Sequence, residues 1–328
     1  MKSSHAAIIG AGISGLTCAR TLAQHGWRVT VFEKSRGVGG RMAVRRTDSG
    51  LTFDHGAQYF TVHDDRFAET VAEWQRQGVA ARWQGRIANI SNGKIEPKRE
   101  DTPRFIGVPG MNAVCKQLAE GLEVRCQTKV SPPRREGDSW NLIDDQGSLL
   151  GRFDHVVIST PSPQAAELLV EAPQLAQRTR DVKMQPCWTI LLAVEQPVAA
   201  AFDGAFVHES PLSWICRNSS KPERSTNQET WVLQATADWS TEHESCDSDF
   251  ALQQLLAAFW RALGQSPQPL CFATAHRWRY ARADQSLTVG CLFDPELRLG
   301  VCGDWCCGSR VEGAFLSGLQ LAERLLEN

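Results

Sequence analysis

The pattern of apolar positions at the start of the chain predicts a strand, a helix and a second strand. An apolar run precedes Gly10, apolar residues at helical spacing cover Ser14–His25, and residues 28–32 are again mostly apolar. Parallel strands that are buried on both faces have such continuous apolar runs, and a helix connects them. The pattern therefore predicts the first strand–helix–strand unit of an α/β fold.

Further elements follow from apolar periodicity and from turn sequences. Ser91-Asn92-Gly93 and Asp145-Gln146-Gly147 each separate two short strand-like segments, which predicts two hairpins. Residues 35–60 are rich in Gly, Arg and short polar residues, which favours a loop lying against a ligand over a packed element. The remaining predicted helices are Asp65–Gln77, Asn112–Glu120, Phe250–Leu263 and Val311–Leu326, and the remaining predicted strands are Glu123–Cys126, His155–Ser159, Thr189–Val194, Trp231–Ala237, Ala273–Arg279 and Leu299–Asp304.

These elements divide into two groups, which predicts an α/β protein with two domains. Buried, parallel-type strands lie in residues 1–60, 96–165 and 275–328, and we assign these to a discontinuous Rossmann-like domain. Residues 61–95 and 166–274 are assigned to a substrate domain with an antiparallel sheet and helices. A chain of 328 residues is long enough for both.

The first strand–helix–strand unit carries a dinucleotide-binding fingerprint. Gly10, Gly12 and Gly15 have G-x-G-x-x-G spacing, and Glu33 ends the second strand. Gly10 permits the turn from strand to helix, Gly12 lets a pyrophosphate approach the backbone, and Gly15 lets the helix pack close to the strand. The carboxylate of Glu33 is placed to accept hydrogen bonds from ribose hydroxyls.

Composition narrows the classes of function. The net charge of −2 gives no reason to expect binding to nucleic acid, and no apolar run approaches the length that spans a bilayer. The eleven cysteines are scattered and form no C-x-x-C pair, which favours reduced thiols in a cytoplasmic protein. The cluster of Cys302, Cys306 and Cys307 lacks nearby His ligands, so we expect no metal site.

The end of the chain contains a second candidate cofactor-binding motif, again a strand followed by a helix. A buried strand ends at Gly303-Asp304, and Ser309-Arg310-Val311-Glu312 fits a capping box at the start of the last helix. Small residues in its first turns would let the helix N-terminus approach a flat ring, with Asp304 accepting hydrogen bonds from a polyol chain. The alternative is a strand and a helix that only complete the fold.

A further ligand-binding segment, Gly39-Gly40-Arg41, lies soon after Glu33, and Arg41 suits a phosphate. An NAD dehydrogenase needs no second nucleotide-binding segment at the far end of the chain. FAD is long enough to contact both ends, so FAD is the predicted cofactor.

With these motifs the chain resembles the FAD-linked amine oxidase superfamily. Within it, the segments Asp54-His55-Gly56-Ala57-Gln58-Tyr59-Phe60 and His276-Arg277-Trp278-Arg279-Tyr280-Ala281 resemble the renalase family and its bacterial members. The resemblance covers the full length and implies the two-domain architecture of amine oxidases and p-hydroxybenzoate hydroxylase. The serine-glycine-glycine-cysteine attachment sequence of monoamine oxidases is missing, so the FAD is expected to be non-covalent.

The resemblance implies roles for particular residues. Val130 would offer its backbone to adenine, Asp304 would hold the ribityl chain or the pyrophosphate, and Val311 would donate a backbone N–H near flavin O2. Tyr59, Phe60 and Arg279 would border the substrate pocket. Residues implied to hold the ADP half are Gly12, Ile13, Glu33, Lys34, Arg41 and Met42, and those implied to run along the flavin are Gly56, Ala57 and Gln58.

The resemblance also implies a reaction. Renalases oxidise the 1,2- and 1,6-isomers of NADH or NADPH to NAD(P)+, and oxygen is reduced to hydrogen peroxide. A dihydropyridine becomes aromatic as its hydride leaves, so no catalytic base is required or predicted, and His55 and His276 are expected to be structural. Two alternatives stay open: an FAD-dependent amine oxidase or desaturase acting on a small apolar substrate, and a non-catalytic nucleotide-binding sensor.

Overall fold

The computed structural model describes residues 4–99 and 102–328. Two short 3₁₀ helices cover Gly40–Met42 and Asn218–Ser220. The α-helices are α1 (Ile13–Gln24), α2 (Asp65–Arg76), α3 (Ala113–Ala119), α4 (Ser162–Leu168), α5 (Pro173–Arg180), α6 (Ala237–Glu242), α7 (Ser248–Leu263), α8 (Asp304–Cys307) and α9 (Val311–Leu326).

The strands belong to one parallel-type sheet, one larger antiparallel-type sheet and several small sheets. In chain order they are β1 (His5–Ile9), β2 (Arg28–Phe32), β3 (Val44–Arg46), β4 (Thr52–Asp54), β5 (Ala80–Trp83), β6 (Ile87–Ser91), β7 (Lys94–Pro97), β8 (Arg104–Gly107), β9 (Glu123–Arg125), β10 (Arg134–Glu136), β11 (Ser139–Ile143), β12 (Leu149–Phe153), β13 (His155–Ile158), β14 (Met184–Val194), β15 (Gly204–Val207), β16 (Leu212–Arg217), β17 (Thr230–Ala235), β18 (Leu270–Ala283), β19 (Leu292–Asp294) and β20 (Leu299–Val301).

The central sheet has six strands in the order β19-β20-β13-β1-β2-β9. Its strands are parallel except for β19, and Ile8 of β1 lies between Val157 of β13 and Val31 of β2. The residues of β1 and β13 are almost fully buried, which explains their continuous apolar sequences. The carboxyl ends of β1, β2, β13 and β20 meet at one edge of the sheet, where ligands bind in folds of this kind.

Helices α1 and α9 lie against each other beside this sheet. A Cβ on Gly318 of α9 would lie 2.0 Å from the backbone oxygen of Ser14 in α1, so the two backbones are in direct contact. Only glycine permits so close an approach. The N-terminal and C-terminal helices therefore form one packed unit, and the first turn of each lies at the same edge of the sheet.

The second large sheet has seven strands in the order β18-β14-β17-β16-β15-β6-β7. Its pairs are antiparallel except for β15 and β6, and α7 packs its buried face, including Leu255 and Phe259, against it. The long strand β18 crosses the predicted domain boundary at residue 275 and continues to Ala283, while β7 crosses the one at 96. The predicted division of the chain into domains otherwise stays a prediction.

The sequence-based interpretation of residues 35–60 is wrong. Residues 35–60 were predicted to be a loop without packed elements, but they contain a 3₁₀ helix and the hairpin of β3 and β4. Phe53 of β4 is fully buried and stacks on Phe272 of β18 at 5.6 Å between ring centroids. The apolar residues of this segment are too widely spaced to reveal that the hairpin packs on a sheet formed by residues far along the chain.

All eleven cysteines are free thiols, and Cys18, Cys115 and Cys302 are among those in the core. Across the described part of the chain, none of the helices combines the length and the apolar character that a membrane crossing requires.

Candidate cofactor and substrate site

A cleft of about 2120 Å³ runs from the edge of the six-stranded sheet to the seven-stranded sheet. Its walls include the Gly-rich segment after β1, the segment after β20 and residues 55–60. Of the residues that the sequence predicted to bind ligands, all except Gly15 line it: Gly10, Gly12, Ile13, Glu33, Lys34, Arg41, Met42, Gly56, Ala57, Gln58, Tyr59, Phe60, Val130, Arg279, Asp304 and Val311. The structure brings these residues together, and their individual roles stay predictions.

The N-terminus of α1 opens directly into the cleft. Gly12 is its N-cap residue, no side chain caps the helix, and its first turn carries no acidic residue. A Cβ on Gly12 would meet nothing within 4 Å, whereas a Cβ on Gly15 would lie 2.3 Å from the oxygen of Gly10. Free backbone N–H groups and an open approach are the requirements of a pyrophosphate site.

Glu33 lies at the end of β2 and is almost fully buried. Its Oε2 accepts a hydrogen bond from the backbone N–H of Ala11 at 2.9 Å, and its Oε1 accepts one from Ser35 at 2.8 Å. Each carboxylate oxygen has a second lone pair, so both oxygens can also accept from a ligand hydroxyl. The carboxylate is fixed in position on the cleft wall, as a ribose-binding acid requires.

Arg41 and Asp304 form an ion pair with each other. Arg41 Nη2 lies 2.6 Å from Asp304 Oδ1, Nη1 donates to Oδ2 at 2.9 Å, and Nη1 also donates to the carbonyl of Ala281. The sequence assigned these two side chains separately, one to a phosphate and one to the ribityl chain or pyrophosphate. Their pairing joins the segment after β2 to the start of α8 and places both charges side by side on the cleft wall.

The predicted capping box at the start of α9 is wrong. Arg310 is the N-cap residue and no side chain caps the helix. Ser309 Oγ instead bonds with Ser286 Oγ and donates to the carbonyl of Ala283. Glu312 Oε1 accepts from the backbone N–H groups of His63 at 2.6 Å and Asp64 at 2.9 Å, because the loop before α2 lies beside this turn. The first N–H groups of α9 thus remain available near Val311.

Most of the small residues of α9 contact the protein itself. Gly318 contacts α1, a Cβ on Gly313 would lie 2.1 Å from the oxygen of Gly308, and Ser317 Oγ accepts from the N–H of Gly303. They allow close backbone packing within the protein. The helix reaches the cleft through Val311 and Ala314.

A buried ion cluster anchors the segment Asp54–Phe60. This Asp54 cluster consists of Asp54, Lys221 and Arg224. Asp54 Oδ2 lies 3.1 Å from Lys221 Nζ and 2.7 Å from Arg224 Nη2, and Oδ1 accepts from the backbone N–H of Met111. Burial acts to raise the pKa of Asp54, but the charges of Lys221 and Arg224 outweigh it and leave the pKa below its usual value.

Hydrogen bonds fix the rest of this segment against the seven-stranded sheet. Gln58 Nε2 donates to the carbonyls of Asp54 and Gly56, and Gln234 Nε2 of β17 also donates to Gly56, at 2.8 Å. Trp278 Nε1 of β18 donates to the carbonyl of His55 at 2.8 Å. Residues 54–58 are therefore a rigid wall of the cleft rather than a mobile loop.

The three predicted substrate-binding residues have different surroundings. Tyr59 is half-buried, with Trp214 at 5.5 Å and the guanidinium of Arg104 at 5.1 Å from its ring. Phe60 is 3% exposed, so most of its ring belongs to the core. Arg279 is exposed on β18 and has no hydrogen-bond or ion-pair partner in residues 4–99 and 102–328. Tyr59 and Arg279 are consequently the more accessible of the three.

His55 and His276 form an aromatic group with Trp278, each pair of rings lying 4.8 Å apart. Burial, the nearby His276 and Arg45 together lower the pKa of His55 to about 4, and burial is the largest of these causes. Burial and Arg45 also lower the pKa of His276. Both imidazoles are neutral near pH 7, and the buried Nδ1 of His55 has no hydrogen-bond partner in the described chain.

The lowered pKa of His55 predicts a loss of stability in mild acid. The unfolded chain takes up a proton near pH 6.5 and the folded chain near pH 4, so the stabilisation is present above this window and is lost as the pH falls through it. From pH 7 to pH 5, protonation of His55 in the unfolded chain should lower the unfolding free energy of the wild type. The His55→Gln variant lacks this group, so its decrease should be smaller by about 1–2 kcal/mol. Urea unfolding at both pH values measures this, and equal losses would contradict it.

The cleft is cationic although the whole chain has a net charge of −2. Among the described residues that line it, eleven are Lys or Arg and five are Asp or Glu. A cleft lined by one sign of charge attracts ligands of the opposite sign. The site is therefore suited to polyanionic ligands.

Sequence reasoning missed several residues of this site. Lys221 and Arg224 lie in a polar stretch outside the predicted helices and strands, and Gln234 lies inside a predicted strand. Their contacts join residues more than 160 positions apart, and no local pattern indicates such contacts.

The comparisons with known proteins agree with this geometry. Residues 8–74 match the NAD(P)-binding Rossmann-like domain, and residues 86–326 match the family described as flavin containing amine oxidoreductase. The second match covers most of the chain. The protein is a flavin-dependent oxidoreductase with the two-domain architecture of FAD-dependent oxidases, as predicted. It belongs to the flavin containing amine oxidoreductase family.

Solved structures show the same fold. A candidate protoporphyrinogen oxidase from Exiguobacterium sp. 255-15 superposes with a TM-score of 0.81 at 13% identity, covering 100% of both chains. A putrescine oxidase triple mutant superposes with a TM-score of 0.74 at 14% identity, covering 99% of both.

Among curated proteins, 4,4'-diapophytoene desaturases match a short segment. The one from Staphylococcus haemolyticus is 48% identical over 58 residues, which is 18% of this chain and 11% of the desaturase. The one from Staphylococcus aureus strain Newman is 52% identical over 50 residues, or 15% and 10%. The match thus spans about a tenth of the desaturases.

The cofactor is FAD, and the residues present fit a non-covalently bound molecule. Two helix N-termini without side-chain caps point to one cleft, the approach over Gly12 is open, and Glu33 presents a fixed carboxylate. Membership of the renalase-like subfamily remains a proposal.

Proposed function

We propose that this protein is an FAD-dependent oxidase of isomeric dihydronicotinamides. The substrates would be the 1,2- and 1,6-dihydro forms of NAD or NADP, and oxygen would be the acceptor. The observation that carries the proposal is the polar, cationic wall of the cleft on the seven-stranded sheet, where Ser213, Gln234, His276 and Arg279 lie. A dinucleotide has charged phosphates and an amide to match such a wall, whereas a polyene or a small apolar amine has neither.

The reaction balances without a protein base. Dihydro-NAD(P), oxygen and one proton give NAD(P)+ and hydrogen peroxide. FAD, when bound, supplies the hydride acceptor N5 and transfers the electrons to oxygen. Loss of the hydride makes the pyridine ring aromatic, so no C–H deprotonation must come first.

The protein's own contribution would be positioning. The wall from Asp54 to Gln58 is fixed by buried hydrogen bonds, so it can hold a ring at a constant distance. Tyr59 would border the nicotinamide ring, and Arg279, which has no described partner, would bind the carboxamide or a phosphate. Where no side chain acts as acid, base or nucleophile, orientation of this kind provides a large share of the rate enhancement.

The test is anaerobic mixing of the purified holoprotein with each dihydro isomer. We expect rapid bleaching of the flavin absorbance with 1,2- or 1,6-dihydro-NAD(P), and hydrogen peroxide when air is admitted. Ordinary 1,4-NADH, putrescine and a polyene are the comparison compounds. Fast bleaching by the amine or the polyene alone would favour an amine oxidase or desaturase, and slow bleaching by every donor would favour a nucleotide-binding sensor.

Arg279→Gln should weaken the productive binding of the dinucleotide. Removal of one charge-assisted hydrogen bond at an exposed site costs about 1.5 kcal/mol, so kcat/KM should fall by about tenfold, mainly through KM. Steady-state oxygen consumption measures this. Arg261→Gln, on the exposed face of α7 outside the cleft, is the charge-matched control. Equal kinetics of the two variants would show that Arg279 does not bind the substrate.

A further inference from the structure

The Asp54 cluster contains more positive than negative charge. Asp54 is its one carboxylate, and it faces both the ammonium of Lys221 and the guanidinium of Arg224. The three side chains are at most 2% exposed. In the ion pairs of the described chain, Lys221 and Arg224 have no other carboxylate partner. The cluster therefore holds one surplus positive charge away from water.

Such a surplus is costly in a protein interior. A buried charge without a counter-charge is destabilising, because water no longer solvates it. A second ion cluster of the same sheet does not show it: Arg217 lies between two carboxylates, Asp203 and Glu229. The Asp54 cluster, unlike the Arg217 cluster, thus has a surplus charge that an anionic group nearby would balance.

Lys221 links the cluster to the wall of the cleft. Its Nζ donates to Gln58 Oε1 at 3.2 Å, and Gln58 lines the cleft. Gly56, Ala57 and Gln58 are the residues that we propose to lie along the flavin. The ammonium of Lys221 is therefore separated from the proposed flavin position by a single side chain. The effective dielectric constant is low in the protein interior, so the charge acts strongly over this distance.

We propose that Lys221 acts electrostatically on the bound cofactor, and that the surplus charge of its cluster favours the reduced flavin. Reduction adds negative charge to the flavin, and this charge would be the missing counter-charge of the cluster. The inference rests on the proposed placement of FAD along Gly56–Gln58. It does not depend on which substrate delivers the electrons.

A purely structural role for Lys221 gives a different expectation. If Lys221 only held Gln58 in place, its loss would lower stability or FAD content, and the reduction potential of the remaining bound flavin would stay the same. If Lys221 acts electrostatically, the reduction potential should change with the charge of the side chain at position 221. The two roles are therefore separable by variants that change charge at similar side-chain volume.

The experiment measures the reduction potential of the bound flavin against a reference dye in the holoprotein, with xanthine and xanthine oxidase as the electron source. In Lys221→Met the reduced-to-oxidised ratio at a fixed potential should fall by about tenfold, and Lys221→Arg should retain the wild-type ratio. The double variant Lys221→Met with Asp54→Asn restores one surplus charge and should return toward the wild type. Arg217→Met, which removes a cation from the other cluster, should leave the ratio unchanged.

An unchanged ratio in Lys221→Met, or an equal fall in Arg217→Met, would overturn the inference. If Lys221→Met does not retain FAD, Lys221→Gln keeps a donor to Gln58 without the charge and should give the same fall. Because the electrons come from xanthine oxidase, failure of the proposed substrate would leave this result intact. Failure of the inference would likewise leave the proposed oxidase activity standing.

Discussion

Gly12→Val should abolish tight FAD binding while leaving the fold intact. Gly12 has φ −77° and ψ 173°, which valine adopts readily, and a Cβ there meets no atom within 4 Å. The free space in front of it is the approach to the uncapped N-terminus of α1. A valine side chain would fill that space and separate a pyrophosphate from the helix N–H groups.

Loss of two charge-assisted hydrogen bonds costs about 3 kcal/mol, so the dissociation constant of FAD should rise by about 100-fold or more. Flavin fluorescence after gel filtration, followed by titration of the apoprotein, measures it. Gly37→Val is the matched control, because Gly37 also lines the cleft, has ordinary φ and has no neighbour within 4 Å of a Cβ, but lies outside the helix N-terminus. Wild-type affinity in Gly12→Val would show that the pyrophosphate lies elsewhere.

Asp54→Asn should be among the most destabilising single substitutions in this protein. It leaves Lys221 and Arg224 buried without a carboxylate partner, and breaking a buried ion pair from one side costs about 3–5 kcal/mol. In one of its two orientations, the asparagine side chain would also point its NH₂ group, a hydrogen-bond donor, at these cations. We expect a loss of about this size in the free energy of unfolding, measured by urea denaturation at saturating FAD.

Asp64→Asn is the control for this prediction. Asp64 forms an exposed ion pair with Arg66 at 2.9 Å, and exposed pairs contribute about 1 kcal/mol or less. Asp64 also caps α2, where an asparagine serves equally well. A similar small loss in both variants would mean that the Asp54 cluster relaxes to admit water, and the argument from its burial would fail.

The dinucleotide fingerprint could be predicted from the sequence because its physics is local. Gly10, Gly12, Gly15 and Glu33 lie within one strand–helix–strand unit, and their spacing in the sequence is enough to recognise it, although a Cβ on Gly10 would also lie 2.3 Å from the oxygen of the distant Ser159. The last helix was predicted over Val311–Leu326, as observed, since its apolar periodicity is equally local.

Contacts between distant segments could not be predicted in the same way. The sequence Ser309–Glu312 satisfies the local rule for a capping box, yet Glu312 binds the backbone before α2, some 250 residues earlier in the chain. In the sequence, Lys221 cannot be distinguished from an ordinary surface lysine, because only the folded structure shows its ion pair with Asp54. In both cases a tertiary partner competes successfully with the local one, and the sequence contains no sign of that partner.

The strand order of the central sheet has a consequence for biosynthesis. Its four inner strands are β1 and β2, from residues 5–9 and 28–32, β13, from residues 155–158, and β20, from residues 299–301. During translation the sheet therefore stays open at β13 until the ribosome has added residue 301 and β20 has left the exit tunnel. Nascent chains of this protein would expose an unpaired, apolar strand edge for most of their synthesis, which is the kind of surface that chaperones protect.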